Sequence, residues 1–504
     1  MKLSELMARS KADSYSCAGN KDVEVLGITY DSRKVRPGYI FVCIRGEHHD
    51  GHMYISEAAE KGAVAVVIDR ETEVPGNLDV IRVRDSREAL GDIAAAFYKE
   101  PSASLFCVGV TGTKGKTTTT YLIKSVLDKA GISCGVIGTL GCVSRDLAIP
   151  ANHTTPEASD IHEFLAKLRG SGDLAVAMEV SSHAITLKRI RGIDFDVGVF
   201  TNIGHDHLDF HGSFRDYLAT KASFFESLKG QSTTGKKEKG NKISVINVDD
   251  PNSDYILSKV PSEVMTYGIS NSSAQVIAKE LRLYGKDTSF TASTPQGSFS
   301  VSLNLKGVFN VYNALAAIAC GLTKGIDFDT ISEGLRSLKG VPGRFELVDE
   351  GQPFTVIVDF AHNPDSLKNV LAEARRIGPG DLTVVFGCGG DRDRSKRPEM
   401  GRIAAALADR VIITSDNPRS ENPAVIAKEI ETGVLDQGSP RLGYEIIIDR
   451  ASAIERAIRL AKEGDVLVIA GKGHETYQIF HDTTIHFDDR EVAANLLKER
   501  MGNA

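Results

Sequence analysis

No apolar run in the 504 residues approaches the ~20 needed to cross a bilayer, so membrane insertion is not expected. The opening "MKLSELMARSK" has neither an apolar core nor a small-residue cleavage site, so a secretory leader is not expected. The seven cysteines are scattered, odd in number and without a CxxC pair. That excludes a disulfide framework or a zinc ribbon as the organising device and favours a reducing cytoplasm. Basic residues are not in excess: the formal charge is -7, which argues against general nucleic-acid binding while leaving room for a local basic pocket. No internal repeat is present.

What remains is an ordinary globular composition, 41% hydrophobic and 25% charged, in a chain long enough for about three domains. From Leu105 onward one grammar recurs: a short apolar run, a polar or glycine-rich loop, then a helical stretch. "LFCVGV", "LAVAMEV", "VGVFTNI", "FTVIVDF", "LTVVFG", "RVIIT" and "DVLVIA" are such runs. Alternation of this kind predicts an α/β protein with mostly parallel sheets covered on both faces, and ligands at the carboxyl ends of the strands. "SFTAST" and "SVSLNL" alternate instead and predict an antiparallel addition. The first hundred residues form a smaller α/β region. Breaks near Glu100-Pro101 and within "KGVPGRFE" divide the chain into 1–100, 101–338 and 339–504. The polar, basic stretch from Gly230 to Lys242 reads as an exposed loop.

"CVGVTGTKGKTTTTYLI" joins a strand to a helix through glycines. Gly112, Thr113, Lys114, Gly115, Lys116, Thr117 and Thr118 offer close backbone approach, an ammonium for phosphate and a hydroxyl for Mg²⁺. The general phosphate-loop pattern wants glycine at 110, where Val110 stands, and the shorter "GTKGKTT" form points to ATP-using ligases. Downstream, Glu179 ends one apolar strand, and His205, Asp206, His207, Asp209 and His211 follow another. A carboxylate at a strand end beside a phosphate loop suits Mg²⁺. The His/Asp cluster also admits a zinc reading, with magnesium favoured by the loop and the lack of nearby cysteines.

"ITSDNPRSENP" poses a different question. Ser, Asp, Asn and Pro make turns for backbone reasons, but Arg419 does not. Its planar fork of donors suits a carboxylate or phosphate. The charge run Asp391 to Arg397, by itself, reads as a solvated, self-paired loop.

Taken in order, "GTKGKTTT", "MEVSSHAI", "FTNIGHDHLDFHG", "KGVFNVYNALAA", "GVPGRFE", "VDFAHNP", "GCGGDRDRSKRP", "DNPR" and "GKGHETYQ" resemble the Mur ligase family, over about Ile28 to Glu491. The resemblance implies a small N-terminal α/β domain, a central ATPase-like domain and a C-terminal Rossmann-like domain. It implies a cytoplasmic, monomeric ligase that adds diaminopimelate to a UDP-N-acetylmuramoyl dipeptide in peptidoglycan synthesis, with ATP as co-substrate and two Mg²⁺ ions. By the same resemblance, Tyr30, Ser32, Glu47, His48 and His49 hold the UDP portion. Asn152, Thr154, Thr155, Ser181 and Arg189 meet the muramoyl dipeptide, with Leu187 where some relatives carry glutamine. Lys116 faces the phosphates, and Thr117, Glu179 and His205 hold metal. Lys221, by plain reading an exposed helical lysine, becomes a carbamate that also holds metal. Asn310, Arg344 and Asp359 contact nucleotide, and His362 approaches the γ-phosphate. Arg392, Asp416, Asn417, Pro418, Arg419, Gly471 and Glu475 receive diaminopimelate, with Arg419 on its distal carboxylate. The alternatives are a lysine-adding or other ligase of the family, a folylpolyglutamate synthetase and, in another class, an ATP-dependent switch.

Overall fold

A computed structural model describes residues 1–18, 22–46, 49–150, 153–204, 206–229, 241–283 and 287–502. The N-terminal sheet contains β1 (Ser14–Ala18), β2 (Gly27–Thr29), β3 (Tyr39–Val42), β4 (Ala65–Ile68) and β5 (Asp79–Val83) in the order β1-β5-β4-β3-β2. Strands β2 to β5 are parallel and β1 runs against β5. The helix Ser86–Phe97 starts where the Asp85 carboxylate accepts from the backbone N–H groups of Arg87 and Glu88. It stops before Lys99 and Glu100, both left-handed, ahead of Pro101.

The central sheet begins with β6 (Phe106–Thr111), β7 (Cys134–Gly138), β8 (Gly141–Val143), β9 (Ala148–Ile149), β10 (Ala175–Glu179) and β11 (Val197–Phe200). It continues through β12 (Ile243–Asn247), β13 (Glu263–Gly268), β14 (Val276–Arg282), β15 (Thr288–Thr294) and β16 (Gly297–Leu303). The order is β16-β15-β14-β13-β12-β11-β6-β10-β7-β8-β9, with the stretch β7 to β14 parallel. A two-residue turn joins the neighbours β15 and β16, a connection only antiparallel strands permit. Strand β6 lies between β10 and β11, so the chain leaves it in one direction and returns on the other side, the kind of strand end where α/β sheets bind ligands.

The C-terminal sheet has β17 (Glu346–Leu347), β18 (Thr355–Asp359), β19 (Leu382–Phe386), β20 (Arg410–Ile413), β21 (Tyr444–Ile446) and β22 (Val466–Ala470), ordered β17-β18-β22-β19-β20-β21. All pairs but β17/β18 are parallel. Alternate residues serve opposite faces: Ile357, Val384, Val411 and Val468 enter one apolar cluster, while Val356, Val385, Ile412 and Leu467 enter another. The hairpin β23 (Tyr477–Phe480) and β24 (Thr483–His486) follows.

The chain forms two compact units. One comprises Met1–Lys279, Thr291–Phe299 and Tyr312–Leu335; the other comprises Glu280–Phe290, Ser300–Val311 and Arg336–Ala504. Among the described residues six cysteines are free and buried, and no helix is long and apolar enough to cross a membrane.

Candidate active site

In the first unit, the loop between β6 and the helix Lys116–Lys129 is shaped by two glycines that tolerate no side chain. A Cβ on Gly112 (φ +151) would fall 1.9 Å from Thr201 Oγ1, and one on Gly115 (φ +85) would fall 2.5 Å from Asn313 Oδ1. The loop therefore presents backbone where a helix N-terminus favours anions. Lys116 Nζ folds over it, donating to Gly112 O and Thr113 O at 2.9 Å each. Lys114 pairs with Asp206 at 3.3 Å. Thr113 Oγ1 lies 3.0 Å from the Tyr217 hydroxyl, and Thr117 and Thr118 are buried in the first helical turn.

Glu179, 1% exposed, ends β10. Its Oε1 accepts from Thr139 N at 2.8 Å and its Oε2 from Thr139 Oγ1 at 3.3 Å. Thr139 Oγ1 also lies 3.3 Å from Thr154 Oγ1, while Thr155 Oγ1 reaches the Glu179 carbonyl at 2.8 Å and Ser181 Oγ at 3.2 Å. The segment expected to meet the dipeptide is thus hydrogen-bonded to the strand end expected to hold metal. Hydroxyl and carboxylate oxygens such as those of Thr117 and Glu179 fit Mg²⁺, which shares its shell with phosphate and water.

Lys221 overturns its plain reading. It is 1% exposed, not a surface lysine. In the helix Phe214–Glu226 the buried positions are Tyr217, Leu218, Lys221, Ala222, Phe224 and Phe225, so the lysine falls within the apolar stripe. That stripe was the available sequence signal. Nζ donates to Gly112 O at 2.9 Å and sits 4.6 Å from the Tyr217 ring centre, with no carboxylate in ion-pair range among the described residues. Burial, reinforced by the Lys116 charge, pushes its pKa well down, while Asp206 opposes this. The result is a buried amine inclined to be neutral beside a phosphate loop. Tyr217 in turn packs against His211, and His211 against His183, which also meets His207 and Phe210, a ring cluster that sequence reasoning named only in part.

Arg189 is buried, but its charge is already met: Nε donates to Glu157 Oε1 at 2.9 Å and Nη1 to Thr155 O at 3.1 Å. Glu157 also takes Arg87 at 3.2 Å, so two arginines share one buried carboxylate. Leu187 caps the short helix Ser182–Thr186. Tyr30 donates to Asp160 at 3.0 Å, which with burial raises its pKa, and Ser32 donates to Glu57 at 3.1 Å. Asp31 and Arg33 pair locally at 2.8 Å, as a turn would require. His49 is exposed. Glu47, His48, Asn152 and His205 lie outside the described residues, as does the side chain of Asp209.

In the second unit, the ends of β18, β19, β20 and β22 carry the other expected residues. Gly471 N donates to Asp359 O, and the Asp359 carboxylate accepts from Phe345 N at 2.7 Å. The Arg344 guanidinium lies 5.1 Å from the Phe360 ring, against which His362 and His474 also pack. His362 is exposed, with Nδ1 on Phe360 O at 2.8 Å, and Asn310 is buried with its amide on Lys306 O at 2.7 Å. Arg392 is exposed and donates to Asp391 O.

Arg419 sits on a residue forced left-handed (φ +51), held by backbone bonds to the hairpin: its N–H donates to Ile479 O, and His481 N–H donates to its carbonyl. Its half-buried guanidinium donates to Gly390 O at 2.8 Å and lies 3.5 Å from Asn417 O. Among the described residues no carboxylate pairs with it. Pro418 and Asp416 are buried beside it, and Asp416 Oδ1 accepts from Asn417 N at 2.6 Å. Gly471 is needed there, since a Cβ would stand 2.6 Å from Asp416 Oδ2. Asn417 Nδ2 donates to Glu475 Oε2 at 2.8 Å.

The charge run Asp391–Arg397 is not uniformly solvated. Arg397 is 0% exposed and closes on Glu421 and Glu429 at 2.7–2.9 Å, holding Glu421 down at about 2. Sequence reasoning also missed Arg450, fully buried, bidentate to Asp489 at 2.7 Å and donating to Ser415 O and Ala470 O at the ends of two strands. It missed Lys472 and Gln478 as well, although "GKGHETYQ" contains both.

Three family models match the chain: the Mur ligase family catalytic domain over residues 24–98, the Mur ligase middle domain over 110–321, and the Mur ligase glutamate ligase domain over 343–473. The chain is similar to the UDP-N-acetylmuramoyl-L-alanyl-D-glutamate–2,6-diaminopimelate ligase of Syntrophomonas wolfei, 46% identical over 99% of this chain and 100% of that one. It is similar to the enzyme of the same name from Bacillus licheniformis, at 45% identity over 99% and 100%. A solved structure of a ligase of that name superimposes with a TM-score of 0.69 at 30% identity, covering 99% of both chains. With three family models along it and relatives 45% and 46% identical over 99% of its length, the chain belongs to the Mur ligase family.

Proposed function

We propose that the protein is an ATP-dependent amide ligase joining meso-2,6-diaminopimelate to the D-glutamyl γ-carboxylate of UDP-N-acetylmuramoyl-L-alanyl-D-glutamate. The observation that carries the substrate choice is Arg419. Its half-buried guanidinium has no carboxylate partner among the described residues, and a substrate whose far end bears a carboxylate supplies one bidentately. Lysine would leave that charge unmet, at a cost of roughly 2–5 kcal/mol by analogy with buried interface charges.

In this reading the three parts 1–100, 101–338 and 339–504 receive the UDP moiety, ATP and the amino acid respectively. A γ-carboxylate oxygen attacks the γ-phosphorus of ATP, breaking its bond to the bridging oxygen and giving an acyl phosphate and ADP. Lys116 and the loop N–H groups stabilise the charge on the transferred group. The diaminopimelate amine then attacks the acyl carbon, phosphate departs with the bonding pair, and the amine loses a proton to yield the amide. Thr117, Glu179 and Lys221 as a carbamate would hold Mg²⁺, which neutralises phosphate charge. The carbamate is supported by burial: a neutral Lys221 amine can add CO₂ and release a proton, turning a buried amine beside the phosphate loop into an anionic oxygen ligand.

The test is phosphate release with ATP, Mg²⁺ and UDP-N-acetylmuramoyl-L-alanyl-D-glutamate, offering meso-diaminopimelate or L-lysine and weighing the product. Turnover with diaminopimelate alone is expected. Equal turnover with lysine would remove the role given to Arg419, and phosphate release indifferent to both would favour an ATP-dependent switch.

A further inference from the structure

Beside Arg419 lies a second cation that the scheme above does not use. Lys472 follows β22 and is 0% exposed. Its Nζ is 3.2 Å from Glu475 Oε2, 3.3 Å from Asn417 Oδ1 and 5.5 Å from the Tyr477 ring centre. The same Glu475 oxygen accepts from Asn417 Nδ2, while Asn417 Oδ1 also accepts from Ile479 N at 3.0 Å. One ammonium thus fixes the amide orientation of Asn417 and compensates the charge of Glu475.

The consequence is a charge balance. Among the side chains of Ser415–Arg419 and those bonded to that loop, the cations are Arg419, Lys472 and Arg450, and the anions are Asp416, Glu475 and, through Arg450, Asp489, while Arg397 closes separately on Glu421 and Glu429. Arg450 and Asp489 cancel in a bidentate pair, and Lys472 cancels Glu475. What is left is Arg419 and Asp416, a site of no net charge with separated poles. Such a site suits a chain end that is itself a neutral zwitterion. A chain end carrying only an ammonium meets Glu475 with its charge already met, and stands about 5–6 Å from a second ammonium on the same carboxylate, where like charges repel through a medium drier than water.

Resting on the reading of the amino-acid substrate given above, we infer that Lys472 is a specificity-determining residue: by compensating Glu475 it makes the pocket reject cationic side chains, so that exclusion of lysine is shared between Arg419 and Lys472. Lys472 acts through Glu475 and Asn417 and is a positioning residue in that sense.

The experiment compares kcat/KM for meso-diaminopimelate and L-lysine in the full-length wild type, Lys472→Met and Lys472→Gln. The glutamine variant keeps donors for Glu475 and Asn417 but removes the charge. Both variants are expected to lower the preference for diaminopimelate over lysine about tenfold, the size of one partly screened charge contact. A purely structural lysine would depress both substrates by one factor and leave the ratio unchanged, which overturns the inference. The wild type supplies a reading that does not depend on the folding of either variant. L-norleucine, with a neutral chain end, should be the better competitor against diaminopimelate than L-lysine; lysine binding as well or better overturns the assignment. Wild-type turnover of meso-diaminopimelate separates the two levels: its absence overturns the substrate reading and this inference together, whereas its presence with an unchanged ratio overturns only Lys472.

Discussion

At the phosphate loop Lys116 and Lys221 both donate to the carbonyl of Gly112, whereas in the C-terminal unit Arg397, Arg450 and Lys472 all end on carboxylates. The first arrangement sets an ammonium and a buried amine on the backbone of the phosphate loop itself, so occupancy and chemistry should depend on it more than folding does. The second is closed before any ligand arrives, and its strand-end loops are held by pairs whose loss should be felt in stability. Arg419 contrasts with these three, since it donates to backbone carbonyls and pairs with no carboxylate among the described residues. Folding and ligand recognition should therefore rest on different basic side chains, and substitutions can separate them.

The largest separation is expected at Lys221. Lys221→Ala should reduce ligation about a thousandfold, comparable to removing a preorganised charge-stabilising group, with far-ultraviolet circular dichroism unchanged. Formate or acetate, small carboxylates able to occupy the vacated space, should restore part of the rate. Full loss without any restoration would count against a carbamate oxygen at that place.

Next is Arg450, on the other side of the comparison. Arg450→Met leaves Asp489 buried and unpaired and should cost about 3–5 kcal/mol in urea unfolding, while Arg450→Met with Asp489→Leu should recover much of the loss. If the single variant were as stable as the parent, the closed pair would not be what holds the ends of β20 and β22. Arg419→Ala should do the reverse: kcat/KM for diaminopimelate falls by roughly 2–5 kcal/mol, KM for ATP is unchanged, and stability moves by less than about 0.5 kcal/mol. A stability loss as large as that of Arg450→Met would show that Arg419 belongs to the frame.

The same contrast explains what could be read from the chain. Strand runs, the antiparallel β15–β16 addition and the glycine loop before Lys116–Lys129 follow from local spacing, so the sequence displays them directly. Lys221 was half visible, because its place in the stripe of Tyr217, Leu218, Phe224 and Phe225 predicts burial although lysine itself argues for solvent. Arg397 with Glu421 and Glu429, separated by 24 and 32 residues, and Arg450 with Asp489, separated by 39, meet only because parallel strands bring their loops to one edge. No spacing rule links them. Arg189 and Glu157, 32 residues apart, meet for the same reason.

The smallest effect concerns protons and sharpens the comparison in another way. Each unit holds a histidine whose pKa is pushed down to about 4. In the first it is His162, lowered by burial, 0% exposed, with Nε2 on Arg191 O at 3.0 Å. In the second it is His474, lowered by burial and then by Arg344, Arg490, His362 and Lys472. An unfolded histidine takes its proton near pH 6.5, so between there and about 4 the unfolded chain binds more protons than the folded one. Stability should be fully present above pH 6.5, fall as pH drops through that window, and level off below it. His162→Gln keeps a donor for Arg191 O without a titrating group, so the fall in melting temperature from pH 7 to 5 should shrink. His474→Gln should shrink it less, because His474 is only half-buried and water can stabilise its protonated form in place. An unchanged pH 7 to 5 difference in His162→Gln would locate the acid sensitivity elsewhere. A larger effect at His474 would mean that its ring of cations, rather than burial, governs the acid response.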